Sequence, residues 1–157
     1  MTRRNHVLAV SSAGGHWVQL MRLRPAWDDC VVTYVTTDAG LEKVIRKHER
    51  LDEAGFCLIT EANRWQKARL VKQLIELLIV FIRIRPEVVV TTGAAPGYFA
   101  LRLGRLFGAR TIWIDSIANG AEMSLSGRQA RPYADLWLTQ WEHLASPDGP
   151  DFLGAVL

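Results

Sequence analysis

The sequence predicts an α/β domain: a Rossmann-like parallel sheet of about six strands with helices on both faces. Three observations predict it. Short apolar runs alternate with longer amphipathic ones along the chain. The short runs are apolar at consecutive positions, as in strands that are covered on both sides. Two of them end in glycine-bearing turns that lead directly into helical patterns, the layout of an open sheet whose ligands bind at the carboxyl ends of its strands. The 157 residues suffice for one domain with a proper core and are too few for two of ordinary size.

Val7 to Val10 read as the first strand, and the run Ser11-Ser12-Ala13-Gly14-Gly15 breaks it. A helix follows over residues 16–24, with Trp17, Leu20, Met21 and Leu23 apolar and Pro25 to end it. Residues 30–36 are β-branched and aromatic, a second strand. Asp38 caps a helix that runs through Leu41, Val44 and Ile45 to about His48. Residues 56–59 form the third strand. A long helix spans residues 66–84 and stops at Pro86. Residues 88–91 are the fourth strand, 93–97 a loop and 98–107 a helix. The fifth strand, 111–114, ends at Asp115. A polar segment with Asn119-Gly120 and Ser126-Gly127 leads to a short sixth strand at 136–138. The domain is expected over residues 1–145, and residues 146–157 form a tail. That tail is turn-rich at Ser146-Pro147-Asp148-Gly149-Pro150 and then apolar at Phe152, Leu153, Val156 and Leu157. An apolar end docks, either on this domain or on another chain.

Composition bounds the function. With 49% hydrophobic and 22% charged residues the chain is a folded domain rather than a disordered one. A net charge of +3, with basic residues spread out and no aromatic-basic run, makes no case for nucleic acid. Cys30 and Cys57 lie in or beside strands, with neither a CxxC nor a histidine at ligand spacing. They read as reduced core residues of a cytosolic protein, and no metal or cofactor is implied. The first apolar run has four residues, too short for a secretory signal or a membrane span.

The candidate chemistry sits in the two glycine turns. Glycine lets backbone approach a ligand, and a helix N-terminus offers unpaired N–H groups to an anion. Ser12, Gly14 and Gly15 in the first turn, and Thr92, Gly93, Ala94 and Gly97 in the second, are the candidate phosphate and acceptor contacts. Neither turn is GxGxxG and neither has the lysine of a nucleotide P-loop. A tight turn also needs glycine on its own account, but two such turns on neighbouring strands face one crevice. His16, at the start of a helix beside the first turn, is the base candidate: a neutral imidazole there takes a proton from a sugar hydroxyl. It equally reads as a first-turn residue that packs locally. Asp115 is the second candidate, and capping is its alternative.

The helix over 68–84 has almost no polar face in its second half. Lys67, Arg69 and Lys72 flank one end, Arg83 and Arg85 the other. Its uninterrupted apolar part is shorter than the ~20 residues a span needs. It is either buried against the sheet or lies in a membrane surface, with Lys72, Ile79, Ile82 and Arg83 facing lipid.

Several stretches resemble a known family. Ser11-Ser12-Ala13-Gly14-Gly15-His16-Trp17-Val18-Gln19-Leu20 is similar to the opening loop of the acceptor-side subunit of split UDP-sugar glycosyltransferases. These are the glycosyltransferase-family-28-like proteins of dolichol-linked oligosaccharide and bacterial exopolysaccharide synthesis. Thr91-Thr92-Gly93-Ala94-Ala95-Pro96-Gly97 resembles the family's second glycine loop. The most specific match is Trp113-Ile114-Asp115-Ser116, then Leu125-Ser126-Gly127-Arg128, then Tyr133-Ala134-Asp135-Leu136, then Gln140-Trp141. Ala13 departs from the glycine that many members carry, and no membrane anchor of the eukaryotic kind precedes the first strand.

The resemblance implies the N-terminal half of a GT-B fold, which binds a lipid-linked sugar acceptor. A separate chain would bind the UDP-sugar, and this chain would be inactive without it. Transfer of GlcNAc or a related hexose would be inverting and metal-independent. Gly14, Gly15, His16 and the loop from Gly93 to Gly97 would line the acceptor pyrophosphate and sugar. The apolar C-terminus would dock the partner, and the protein would sit peripherally on the cytoplasmic face of a membrane. Two other functions stand beside this one: a non-catalytic recruiter of a partner enzyme, and a standalone nucleotide- or NAD-binding enzyme.

Overall fold

The apolar runs become strands because their alternate residues can be buried on opposite faces of one sheet. The computed structural model describes residues 4–47 and 54–156. Its sheet contains β1 (His6–Val10), β2 (Val31–Thr36), β3 (Gly55–Leu58), β4 (Val88–Thr91), β5 (Arg110–Ile114), β6 (Leu136–Thr139) and β7 (Asp151–Phe152). The strand order is β3-β2-β1-β4-β5-β6-β7, and every neighbouring pair is parallel. Leu8, Val10, Val35 and Val89 enter the core on one face, where α3 (Lys67–Ile84), α4 (Ala94–Leu106) and α5 (Leu125–Ala130) pack. Val7, Ala9, Tyr34 and Val90 enter the core on the other, beneath α1 (Gly15–Arg22) and α2 (Gly40–Arg46). The architecture is the predicted Rossmann-like one, with seven strands among the described residues instead of about six.

The extra strand comes from the tail. Asp151 and Phe152 pair with Leu138 and Thr139 at the sheet edge, so the backbone of the tail docks on its own domain. Leu153 remains 74% exposed. Leu157, a candidate docking residue, lies outside the described residues, as does His48, the expected end of α2. Asp38 does not occupy the cap position of that helix, which is Ala39; it lies one residue earlier, where its carboxylate accepts from the Gly40 N–H at 2.8 Å.

Two helix boundaries and one whole helix differ from expectation, each for a local reason. α1 stops at Arg22, and the chain tightens into a 3₁₀ turn over Arg24–Trp27. Pro25 has no N–H to continue the α ladder. α4 begins at Ala94, so the expected loop over 93–97 is mostly first-turn helix. Pro96 is compatible with that turn because the N–H it lacks would have no intrahelical partner there. α5 lies in a segment that reads as polar. Ser124 caps it by accepting from the Gly127 N–H at 2.9 Å, and six residues are too few to display a helical period.

The long helix α3 is neither fully buried nor free. Leu77 and Phe81 are 0% exposed, whereas Val71, Ile75, Ile79 and Ile82 are 57, 53, 43 and 53% exposed. Their spacing of four, four and three residues puts them in one stripe down the outer face. This rules out the reading in which the whole helix is core. Among the described residues no helix is long and apolar enough to cross a membrane. Both cysteines are free and half-buried, and burial raises the Cys57 thiol above its ordinary value, which suits an unreactive thiol.

Candidate functional site

The strand order runs outward in both directions from the β1–β4 pair, so the crevice at this switch point is where an open parallel sheet binds ligands. The two glycine turns follow β1 and β4. They meet there, and side chains lock them together. His16 Nδ1 lies 2.8 Å from the Thr92 carbonyl oxygen, and the Thr92 hydroxyl donates to the His16 carbonyl at 2.7 Å. A carbonyl only accepts, so the ring carries its proton on Nδ1. That tautomer leaves Nε2 as a bare acceptor. The half-buried ring is thus oriented like a general base, and its second nitrogen has no hydrogen-bond partner among the described residues.

Gly93 makes the ring position available. It has φ +125°, and a Cβ there would meet His16 Cε1 at 2.9 Å and Nδ1 at 3.1 Å. Its N–H donates to the Thr91 hydroxyl at 3.1 Å. Ala94 follows with φ +63°, a left-handed conformation that costs a non-glycine residue of order 1–3 kcal/mol. Gly14 has φ +78° and Gly15 an ordinary φ, and an added Cβ at either would meet nothing within 4 Å. These two glycines face open space above the first turn of α1, where helix geometry leaves amides without acceptors. Ser12 is half-buried in the same turn.

Gly97 is a different case. It is buried inside α4, and a Cβ would fall 2.1 Å from the Thr91 hydroxyl. It is small so that α4 can lie on β4, and it contacts no ligand space. Beside the first turn, at the ends of β2 and β3, an open cleft of about 710 Å³ is lined by Ala13, Thr37, Asp38, Thr60, Arg69 and Lys72. His16 is not part of that lining.

Asp115, read as a second catalytic candidate, holds the fold together. It is 2% exposed. One carboxylate oxygen accepts from Trp113 Nε1 at 3.1 Å and the Ser124 hydroxyl at 2.6 Å. The other accepts from Asn119 Nδ2 at 3.2 Å and the Ser124 N–H at 2.8 Å. Four donors fill the four acceptor positions of a carboxylate and leave none for a substrate. A Cβ on Gly127 would fall 2.8 Å from this carboxylate, and the Gly127 carbonyl accepts from Trp137 Nε1 at 2.8 Å. The motif residues Trp113, Asp115 and Gly127 therefore form one structural knot with Ser124 and Trp137. Two buried amides lie beside it, Gln19 and Gln140; both stand in the stretches that carry the family resemblance, but their buried bonding role was not read from the sequence. A glutamine in an apolar periodic run was the signal that could have found Gln19. Sequence reasoning missed Trp65, which is 78% exposed before α3 with the Arg64 guanidinium 4.8 Å over its ring. Among the described residues no group of three or more His, Cys, Asp or Glu side chains is placed to hold a metal ion.

No family model matches the chain. A curated relative, UDP-N-acetylglucosamine transferase subunit alg14 of Schizosaccharomyces pombe (strain 972 / ATCC 24843), is 25% identical over 165 positions. The match covers 90% of this chain and 78% of that protein. Among solved structures, MurG of Acinetobacter baumannii is similar at a TM-score of 0.72 with 14% identity, over 93% of this chain and 44% of that one. UDP-GlcNAc 2-epimerase of Neisseria meningitidis, bound to UDP-GlcNAc, is similar at 0.63 with 12% identity, over 88% and 41%. At these identities the structural likeness shows the fold: a parallel Rossmann-like sheet with helices on both faces. The chain spans less than half the length of these solved structures.

The glycines separate by substitution. Gly15→Val should leave the unfolding midpoint within a degree or two, because its side chain meets only open space. Gly97→Ala should destabilise by about 1–3 kcal/mol through overpacking against Thr91. Thermal and urea unfolding of both variants checks this.

Proposed function

We propose that this chain is the acceptor-holding subunit of a two-chain inverting glycosyltransferase. It moves GlcNAc or a related hexose from a UDP-sugar to a lipid-pyrophosphate-linked acceptor in polysaccharide biosynthesis. The observation that carries the reading is the pair of glycine turns at the switch point, bridged by His16 and Thr92 with Nε2 left bare. The relative whose name describes a UDP-N-acetylglucosamine transferase subunit supports both the sugar and the need for a second chain. The MurG-like fold over less than half of MurG fits a chain that supplies one of two halves.

In this reading the first-turn amides of α1 and α4 hold the acceptor pyrophosphate. Ser12, Gly14, Gly15 and Ala94 surround it; Thr92 and Gly93, also candidate contacts in the sequence, are buried with their polar groups engaged and hold the second turn in place. The acceptor hydroxyl attacks the anomeric carbon of the UDP-sugar and its proton passes to His16 Nε2. The new glycosidic C–O bond forms as the bond to UDP breaks, and UDP leaves with the electron pair. The donor half sits on a separate chain, and the exposed Leu153 on the docked tail, with Phe152 and Val156 beside it, is its contact. The stripe Val71, Ile75, Ile79 and Ile82, with Lys72 and Arg83 next to it, rests on the cytoplasmic surface of a membrane. Apolar side chains enter the headgroup boundary, and the cations meet anionic lipid.

Two experiments test this. The chain is combined with a UDP-sugar-binding partner, UDP-GlcNAc and a short-chain prenyl-pyrophosphoryl sugar. His16→Ala should lower kcat by roughly a hundredfold or more, as loss of a general base does. A loss of only a few-fold would remove His16 as the base and leave a recruiting role. For the membrane face, Ile79→Glu with Ile82→Glu should abolish sedimentation with anionic vesicles. Both positions are exposed, so thermal stability should hold; a variant that still sediments contradicts a lipid-facing α3.

A further inference from the structure

Helix α1 carries His16 in its first turn and Gln19 one turn further on. Gln19 is 4% exposed, and Gln140, the residue after β6, is 3% exposed. Their amides converge on one atom. Gln19 Nε2 donates to the Asp115 carbonyl at 3.1 Å, and Gln140 Nε2 donates to the same carbonyl at 2.9 Å. Their oxygens are also engaged: Gln19 Oε1 accepts from the Ile117 N–H at 3.2 Å, and Gln140 Oε1 accepts from the Val156 N–H at 2.8 Å. Each nitrogen faces a carbonyl and each oxygen an N–H, so flipping either amide would oppose like groups. An unbroken chain of hydrogen bonds thus runs from α1, through the end of β5, to the tail.

Apolar side chains would fill these two positions without the desolvation cost of buried amides. What the amides add is direction: satisfied buried networks fix one arrangement of the groups they join. A small apolar cleft of about 190 Å³, lined by Leu23, Ile114, Leu138, Leu153 and Val156, also joins the tail to the residue that ends α1.

We propose that Gln19 and Gln140 are positioning residues, which hold α1 and the His16 ring in register with the docked tail. Displacing the tail then moves the His16 ring, and loosening α1 loosens the tail, because such coupling is reciprocal. The functional meaning rests on His16 being the base and on the tail meeting the donor chain: arrival of that chain at Leu153 would be felt at Nε2.

The test uses the full chain, with nitrogen-15 in the histidine rings and amides, in NMR and hydrogen exchange. Gln140→Met should speed exchange of the Val156 amide tenfold or more and shift or split the His16 ring signals. Gln19→Met touches no tail residue, yet it should speed Val156 exchange at least threefold. Exchange at Val10 and Val89, deep in the sheet, should not change in either variant, which separates coupling from general loosening. Unmoved His16 signals in Gln140→Met, or unchanged Val156 exchange in Gln19→Met, would overturn the proposal. Should Gln140→Met fail to fold, Val156→Pro removes the tail N–H from which Gln140 accepts and keeps both glutamines. The His16 signals should shift there too, and identical signals would overturn the proposal. In transfer assays with a donor chain and UDP-GlcNAc, the glutamine variants should lose kcat with acceptor KM unchanged. If wild-type chain supports no transfer with any donor chain, the glycosyltransferase reading fails, while the coupling is still decided by the ring signals.

Discussion

The two hydrogen bonds that run in opposite directions between His16 and Thr92 are the constraint on which the site depends. They join the two glycine turns at the switch point, and they do so through one side-chain donor from each turn. One bond orders the ring and chooses its tautomer; the other fixes the helix that carries the ring. Gly93 is the third party, because any side chain there would occupy the space of the imidazole. The strained backbone at Ala94 lies against this contact. Strain of that kind persists only where its surroundings over-determine it, and it gathers at functional sites.

Behind the crevice a second set of bonds does a different job. Asp115 takes four donors and is closed to solvent, so the loop after β5 and the cap of α5 are anchored to one buried carboxylate. The carbonyl of the same residue receives both buried glutamines. The stretch that most specifically resembles the glycosyltransferase subunits is therefore made of scaffold rather than reacting groups. In the proposed function the side chains nearest to chemistry belong to the simpler glycine turns. The exposed apolar stripe of α3 and the exposed Leu153 lie outside this network.

Much of the fold was legible in the sequence. The six longer strands were readable because they are apolar on both faces, and the positions of Pro25 and Pro86 ended their helices as backbone chemistry requires. The seventh strand was not, because two residues in a turn-rich tail carry no periodic signal and owe their pairing to the edge of β6. α5 was missed for the same reason of length. In the site, the adjacency of the two turns followed from the sheet pattern. The purpose of each glycine did not: Gly15 and Gly97 look alike in sequence, yet one faces open space and the other carries a helix on a strand. Asp115 looked reactive because it ends a strand beside Ser116. Only the convergence of Trp113, Asn119 and Ser124 on its carboxylate, from three places in the chain, reveals a filled acceptor shell.

The central claim is that the two turns form one anion-binding crevice for the acceptor. Titrating the nitrogen-15-labelled chain with a soluble prenyl-pyrophosphoryl sugar tests it most directly. The account predicts that the amides of Gly14, Gly15, His16, Gly93 and Ala94 shift together and saturate at a single affinity, with His16 Nε2 moving alongside them. Shifts confined to the cleft around Thr37, Arg69 and Lys72, or independent affinities for the two turns, would contradict it.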